Sequence, residues 1–133
     1  MKRLLFLTAI GLLVFRCSSN KDINPKIVGE WKLIETFNGY ANGGDFKWTT
    51  VPNTYSEIIQ LTSNGRYFEN IDSKEVQRQC TGTYRLLPDS VLEITSSCQT
   101  YPIQNEIELM QATLIINIQV REGIIRRKYT STN

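Results

Sequence analysis

The sequence predicts an all-β protein, an eight-stranded antiparallel up-and-down meander that closes into a barrel, and three observations carry that prediction. From Ile27 onward apolar and polar residues alternate with period two, and no stretch longer than about ten residues holds a helical period. The alternating runs are separated by short connections rich in Gly, Pro, Asn, Asp and Ser, which make consecutive strands antiparallel neighbours. Cys80 and Cys98 stand symmetrically about Asp89, so a hairpin turning at Asp89 sets the two side by side. Eight twisted strands lose their exposed edges by closing on themselves.

The first strand, 31–37, places Trp31, Leu33 and Glu35 on one face and Lys32, Ile34 and Thr36 on the other. The connection 38–54 is the longest, and Asn38-Gly39-Tyr40-Ala41-Asn42-Gly43-Gly44 is too glycine-rich for a helix. Its Tyr40, Phe46 and Trp48 make it either a flap over the barrel mouth that contacts ligand or an end plug with its aromatics folded into the core. Strands at 55–62 and 66–71 are joined by Ser63-Asn64-Gly65, and 75–86 follows Asp72-Ser73-Lys74. Leu87-Pro88-Asp89-Ser90 turns the chain into 91–97. Gln111-Ala112 joins 103–110 to 113–120, and Arg121-Glu122-Gly123 leads into the last strand, 124–131.

The hairpin centred on Asp89 pairs Gly82 with Ser96, Tyr84 with Ile94 and Leu86 with Leu92, which brings Cys80 opposite Cys98 within disulfide range. Closing that loop contributes about 3 kcal/mol in the chain-entropy account. A metal on the two cysteines is the weaker alternative, because the chain has no His and no C-x-x-C. Strand parity places the 38–54, 72–74, 98–102 and 121–123 connections at the end away from Trp31, together with the cysteine pair. The last strand returns Arg126, Arg127 and Tyr129 towards the start of the first.

With 133 residues, 41% apolar and 21% charged, the chain is sized for one globular domain. The absence of His removes histidine acid/base chemistry, the Ser-His-Asp and Cys-His constellations and the commonest metal and haem ligand. No nucleophile and base can be paired, so no enzyme, no metal and no cofactor is expected. Met1-Lys2-Arg3 and the apolar run from Leu4 to Phe15 predict a signal peptide over 1–16, too short to span a bilayer as a stable helix. Its removal takes Lys2, Arg3 and Arg16 from the 15 basic residues and leaves 12 against 13 acidic ones. A nearly neutral domain has no electrostatic footprint for nucleic acid.

Val14-Phe15-Arg16-Cys17 resembles a lipoprotein processing site, with Arg16 standing where such signals carry a small residue. The resemblance implies that Cys17 is lipidated, that 17–26 is a lipidated Cys and polar tether, and that 27–133 is a domain held at a membrane of the cell envelope. Ile27-Val28-Gly29-Glu30-Trp31 resembles the G-x-W opening of lipocalins and of the intracellular fatty-acid-binding proteins. With Cys80-x-Gly82-Thr83-Tyr84, Val91-Leu92-Glu93-Ile94, Cys98 and Arg127-Lys128-Tyr129, the chain is similar to the small lipocalin-like lipoproteins common in Bacteroidetes.

That resemblance implies a barrel floor of Gly29 and Trp31 beneath Arg126 or Arg127, a cation-π plug. The fatty-acid-binding relatives imply instead that Arg127 and Tyr129 clamp a ligand carboxylate inside the barrel. Tyr84, Ile94 and Trp48 complete the candidate ligand-binding residues, with Leu92, Ile107, Leu114 and Ile116 lining the same interior. Glu35 is either a buried partner for Arg127 or a carboxylate of the rim. The function implied is a monomeric, lipid-anchored binder of a small hydrophobic molecule. The alternative is a structural or protein-interaction lipoprotein with a filled barrel.

Overall fold

The computed structural model describes residues 26–133, so the segment expected to be a signal peptide, Cys17 and all but the last residue of the expected tether lie outside the described residues. Nine strands run β1(Gly29–Tyr40), β2(Trp48–Thr50), β3(Tyr55–Leu61), β4(Arg66–Ser73), β5(Gln77–Leu87), β6(Val91–Ser96), β7(Ile103–Met110), β8(Thr113–Val120) and β9(Gly123–Ser131). From β3 to β9 each pairs antiparallel with the next, and β1 pairs with both β3 and β9, closing an eight-stranded up-and-down barrel. The eight expected strands are all present, and closure leaves no open edge among them.

The Asp89 hairpin has the expected register, with Gly82 opposite Ser96, Tyr84 opposite Ile94 and Leu86 opposite Leu92. Asp89 and Ser90 take left-handed backbone at φ 62° and 58°, which reverses the chain within the single turn Pro88–Ser90. The ladder ends at Ser96, and just beyond it a disulfide joins Cys80 to Cys98 with Cα atoms 5.6 Å apart. Cys80 is buried in the wall and Cys98 belongs to the exposed connection before β7, so the bond clips that connection to β5.

Alternation sends Trp31 and Leu33 of β1, Ile59 and Leu61 of β3, Leu92 and Ile94 of β6 and Leu114 and Ile116 of β8 into one buried cluster. Each fully buried aliphatic side chain contributes about 1.5–3 kcal/mol. At the Trp31 end, Ile27 is fully buried and its carbonyl accepts the Trp31 Nε1–H at 2.9 Å. The Tyr84 hydroxyl donates to the Thr62 carbonyl there at 2.7 Å. This half of the barrel is filled by its own side chains.

Two features depart from the simple meander. Leu33 faces Tyr129 while Glu35 faces Lys128, leaving Ile34 as the extra residue of a β-bulge. Above the bulge the faces of β1 exchange, so Thr36 lies opposite Arg127 and Glu35 pairs with Lys128 on the other side of the sheet. In addition, β1 leaves β3 after Lys32, and the short β2 takes its place against Glu35, Thr36 and Phe37, with the Val51 N–H donating to the Ile34 carbonyl at 2.9 Å. The long connection is therefore partly a strand on the flank of the barrel.

Candidate functional site

The splaying of β1 from β3 opens a cleft of about 280 Å³ in the barrel wall. Leu33 and Thr36 of β1 form one side, Val51 and Pro52 after β2 form the lip, and Tyr55, Glu57 and Arg127 form the base. Arg127 and Tyr129 also line a second cavity of about 170 Å³ inside the mouth half, bounded by Ile59, Ile94 and Ile116. One guanidinium thus faces two spaces.

Glu57 holds this centre together. It lies on β3 in the same alternation as Ile59 and Leu61, which carries it inward, and its side chain is 1% exposed. Its Oε1 accepts from Arg127 Nη1 at 2.9 Å and from the Tyr129 hydroxyl at 2.5 Å, while Oε2 accepts from the Tyr55 hydroxyl at 2.8 Å. Three donors satisfy a carboxylate that burial alone would penalise heavily. Burial pushes Tyr129 well above the usual phenol range, and the neighbouring Glu57 charge pushes it further. Tyr55 is raised to about 12 by burial and by its bond to Glu57. Burial opposes the Arg127 charge, but Glu57 and Tyr129 more than offset that and hold the guanidinium above its ordinary value. All three donors therefore remain protonated at neutral pH.

Arg127 and Tyr129, expected to clamp a ligand carboxylate, both donate to a carboxylate of the protein itself, Glu57. Arg127 sits opposite Thr36, beyond the bulge, and its guanidinium is directed to Glu57 and not to Trp31. This corrects the floor-plug arrangement: among the described residues the cations over a Trp ring are Arg126 at 5.3 Å and Lys128 at 4.2 Å, both over Trp48. Gly29 and Trp31 do lie together at the sealed end, without Arg127.

Trp48 faces away from the interior, its ring tilted at 55° to that of Phe37 with centroids 5.6 Å apart on the flank, so it contributes to neither the cavity nor an end plug. Glu35 takes Lys128 as its partner in place of Arg127 because the bulge turns it outward. Tyr84 is committed to the Thr62 carbonyl at the sealed end, whereas Ile94 and Ile116 line the mouth cavity. Leu92, Ile107 and Leu114 are buried in the packed core.

Sequence reasoning missed Glu57 and Glu69. The signal was present: each is a lone carboxylate on an otherwise apolar alternating face, Glu57 with Ile59 and Leu61, Glu69 with Tyr67 and Ile71. Among the described residues no cluster of three or more His, Cys, Asp or Glu side chains is placed to hold a metal ion, and no helix is long and apolar enough to cross a membrane. No protein-family model, curated protein or solved structure matches the chain.

Proposed function

We propose that the protein is an exported, lipid-anchored binder of a small, uncharged, largely apolar molecule held in the cleft between β2 and β3. The observation that carries this reading is the cleft itself, where an apolar lip and side wall stand over a few convergent polar groups, the usual composition of a small-molecule site. Glu57 already neutralises Arg127, so a fatty-acid carboxylate would be placed beside a like charge with no net attraction. A carbonyl or hydroxyl suits the remaining guanidinium N–H groups better. The anchor and the export rest on the sequence of residues 1–17.

Titration with N-phenyl-1-naphthylamine, an uncharged apolar fluorophore, tests the reading. Saturable enhancement that oleic acid does not compete away, and that Val51→Trp abolishes by filling the cleft, is the expected result. An unsaturable signal, or one unchanged in folded Val51→Trp, overturns it.

The second reading, a protein-interaction lipoprotein, is favoured by one observation. Phe46, Val76 and Tyr101 are 60%, 47% and 76% exposed, and all three lie on connections at the end opposite Trp31. Loss of fluorophore binding without any phenotype in Val51→Trp, set against a phenotype on removing these three side chains, would select it.

A further inference from the structure

Tyr67 and Glu69 enter the mouth cavity from β4, and neither is used by the Glu57 centre. Tyr67 is 6% exposed, yet its hydroxyl has no hydrogen-bond partner among the described residues. It is not sealed off, since among the described residues no buried side-chain polar atom lacks a partner; the hydroxyl opens on the cavity it lines. Glu69 has a side chain only 10% exposed, and its contacts are two long ones to Arg78 Nη2, at 3.4 and 3.5 Å. Arg78 is itself about half exposed, at 48%, and free to turn into solvent.

A carboxylate so nearly buried is ordinarily closely paired, because burial without a good partner is costly. Burial raises the Glu69 carboxyl above the usual range, and the distant Arg78 does not bring it back. The other ionic groups at the cavity are Arg127, which is engaged by Glu57, and Glu57 itself. When Arg78 swings out, the balance of these four groups becomes one negative charge, facing an apolar wall of Ile94, Ile116 and Ile118.

We propose that the mouth cavity binds a small organic ammonium, its nitrogen donating to Glu69 and to the Tyr67 hydroxyl in exchange for Arg78, its apolar body lying against the isoleucine wall. The volume of about 170 Å³ equals the liquid share of roughly five or six waters, which limits the ligand to a small amine. This site shares Arg127 with the β2–β3 cleft but takes its ligand on Glu69 and Tyr67, which do not line the cleft, and it does not rest on the cleft reading.

Calorimetry with benzylamine at neutral pH, against benzyl alcohol and benzoate, tests the proposal on the whole protein. Benzylamine binds at least tenfold more tightly than the alcohol, and Glu69→Gln erases that preference. Tyr67→Phe weakens benzylamine severalfold, Val51→Trp leaves it unchanged, and Arg78→Met tightens it by removing the competing cation. No binding of benzylamine, equal affinity for the alcohol, or retention of the preference in Glu69→Gln overturns the proposal. Tighter binding of benzoate also overturns it and assigns the cavity to anions. Because Arg78 is half exposed, its variant folds even if Glu69→Gln does not, and unchanged or weaker binding in Arg78→Met is a refutation by itself.

Discussion

Replacing Arg127 with Gln removes the one cation from a carboxylate that water cannot reach. At 2.9 Å and an effective dielectric of 20, the attraction between the two charges is about 6 kcal/mol before desolvation is counted. Desolvation of each ion offsets several kcal/mol of this, which is why a buried pair adds little net stability although breaking it is expensive. Arg127 is a third exposed, so water entering beside the shorter Gln softens the loss. The Tyr129 and Tyr55 hydroxyls still hold Glu57. Against the usual cost of about 3–5 kcal/mol for stranding a buried charge, Arg127→Gln should cost about 2–4 kcal/mol. Glu57→Gln alone should also destabilise, whereas the double variant should recover at least 1 kcal/mol relative to the sum of the two. Urea unfolding of the four proteins measures the cycle. Additivity within about 0.5 kcal/mol, or a loss below that value for Arg127→Gln, would show that the pair does not act as a unit.

Three further outcomes are expected. Cys80→Ser with Cys98→Ser should lower unfolding stability by about 3 kcal/mol, in keeping with a sequence separation of 18, and alkylation of native protein should label neither thiol before reduction. Glu69 carries a raised carboxyl pKa, so the folded state holds this proton more readily than the unfolded one, and stability falls as pH rises from about 4.3 through the raised value. Glu69→Gln should therefore gain more stability over the parent at pH 7 than at pH 4 in urea titrations, and a gain independent of pH would refute the assignment. Cys17→Ser should move the protein from the membrane to the soluble fraction in its host, and unchanged fractionation would remove the lipid anchor from the proposed function.

The strands and the hairpin register were legible because both are local: alternation, turn residues and the symmetry of two cysteines about Asp89 need no knowledge of distant partners. Closure followed from strand number and parity. The site was legible only in half. Arg127 and Tyr129 stand out by spacing, but unbroken alternation in β1 keeps Glu35 on the face of Trp31 and Leu33, where it reads either as a buried partner for Arg127 or as a carboxylate of the rim. The bulge at Ile34 has no strong sequence signature and reverses that face, so the pairing passes to Glu57, 70 residues from Arg127. The three residues of β2 were hidden in a glycine-rich connection too short and polar to show a period.

Ile34 works like a single inserted letter in a text read two letters at a time: everything downstream of it on β1 is read in the other frame. Deleting that one residue would leave the composition of the strand nearly unchanged. It would regularise the ladder, so that Glu35 opposite Lys128 follows directly on Leu33 opposite Tyr129 with Glu35 still outward and Thr36 still inward, and it would remove the carbonyl that receives the Val51 N–H. Insertions and deletions are ordinarily tolerated in connections and costly in strands because they slip a register. Here the slip is already built into the wall: over their paired stretch β1 spends one residue more than β9, at the point where it parts from β3 and the barrel's side opens.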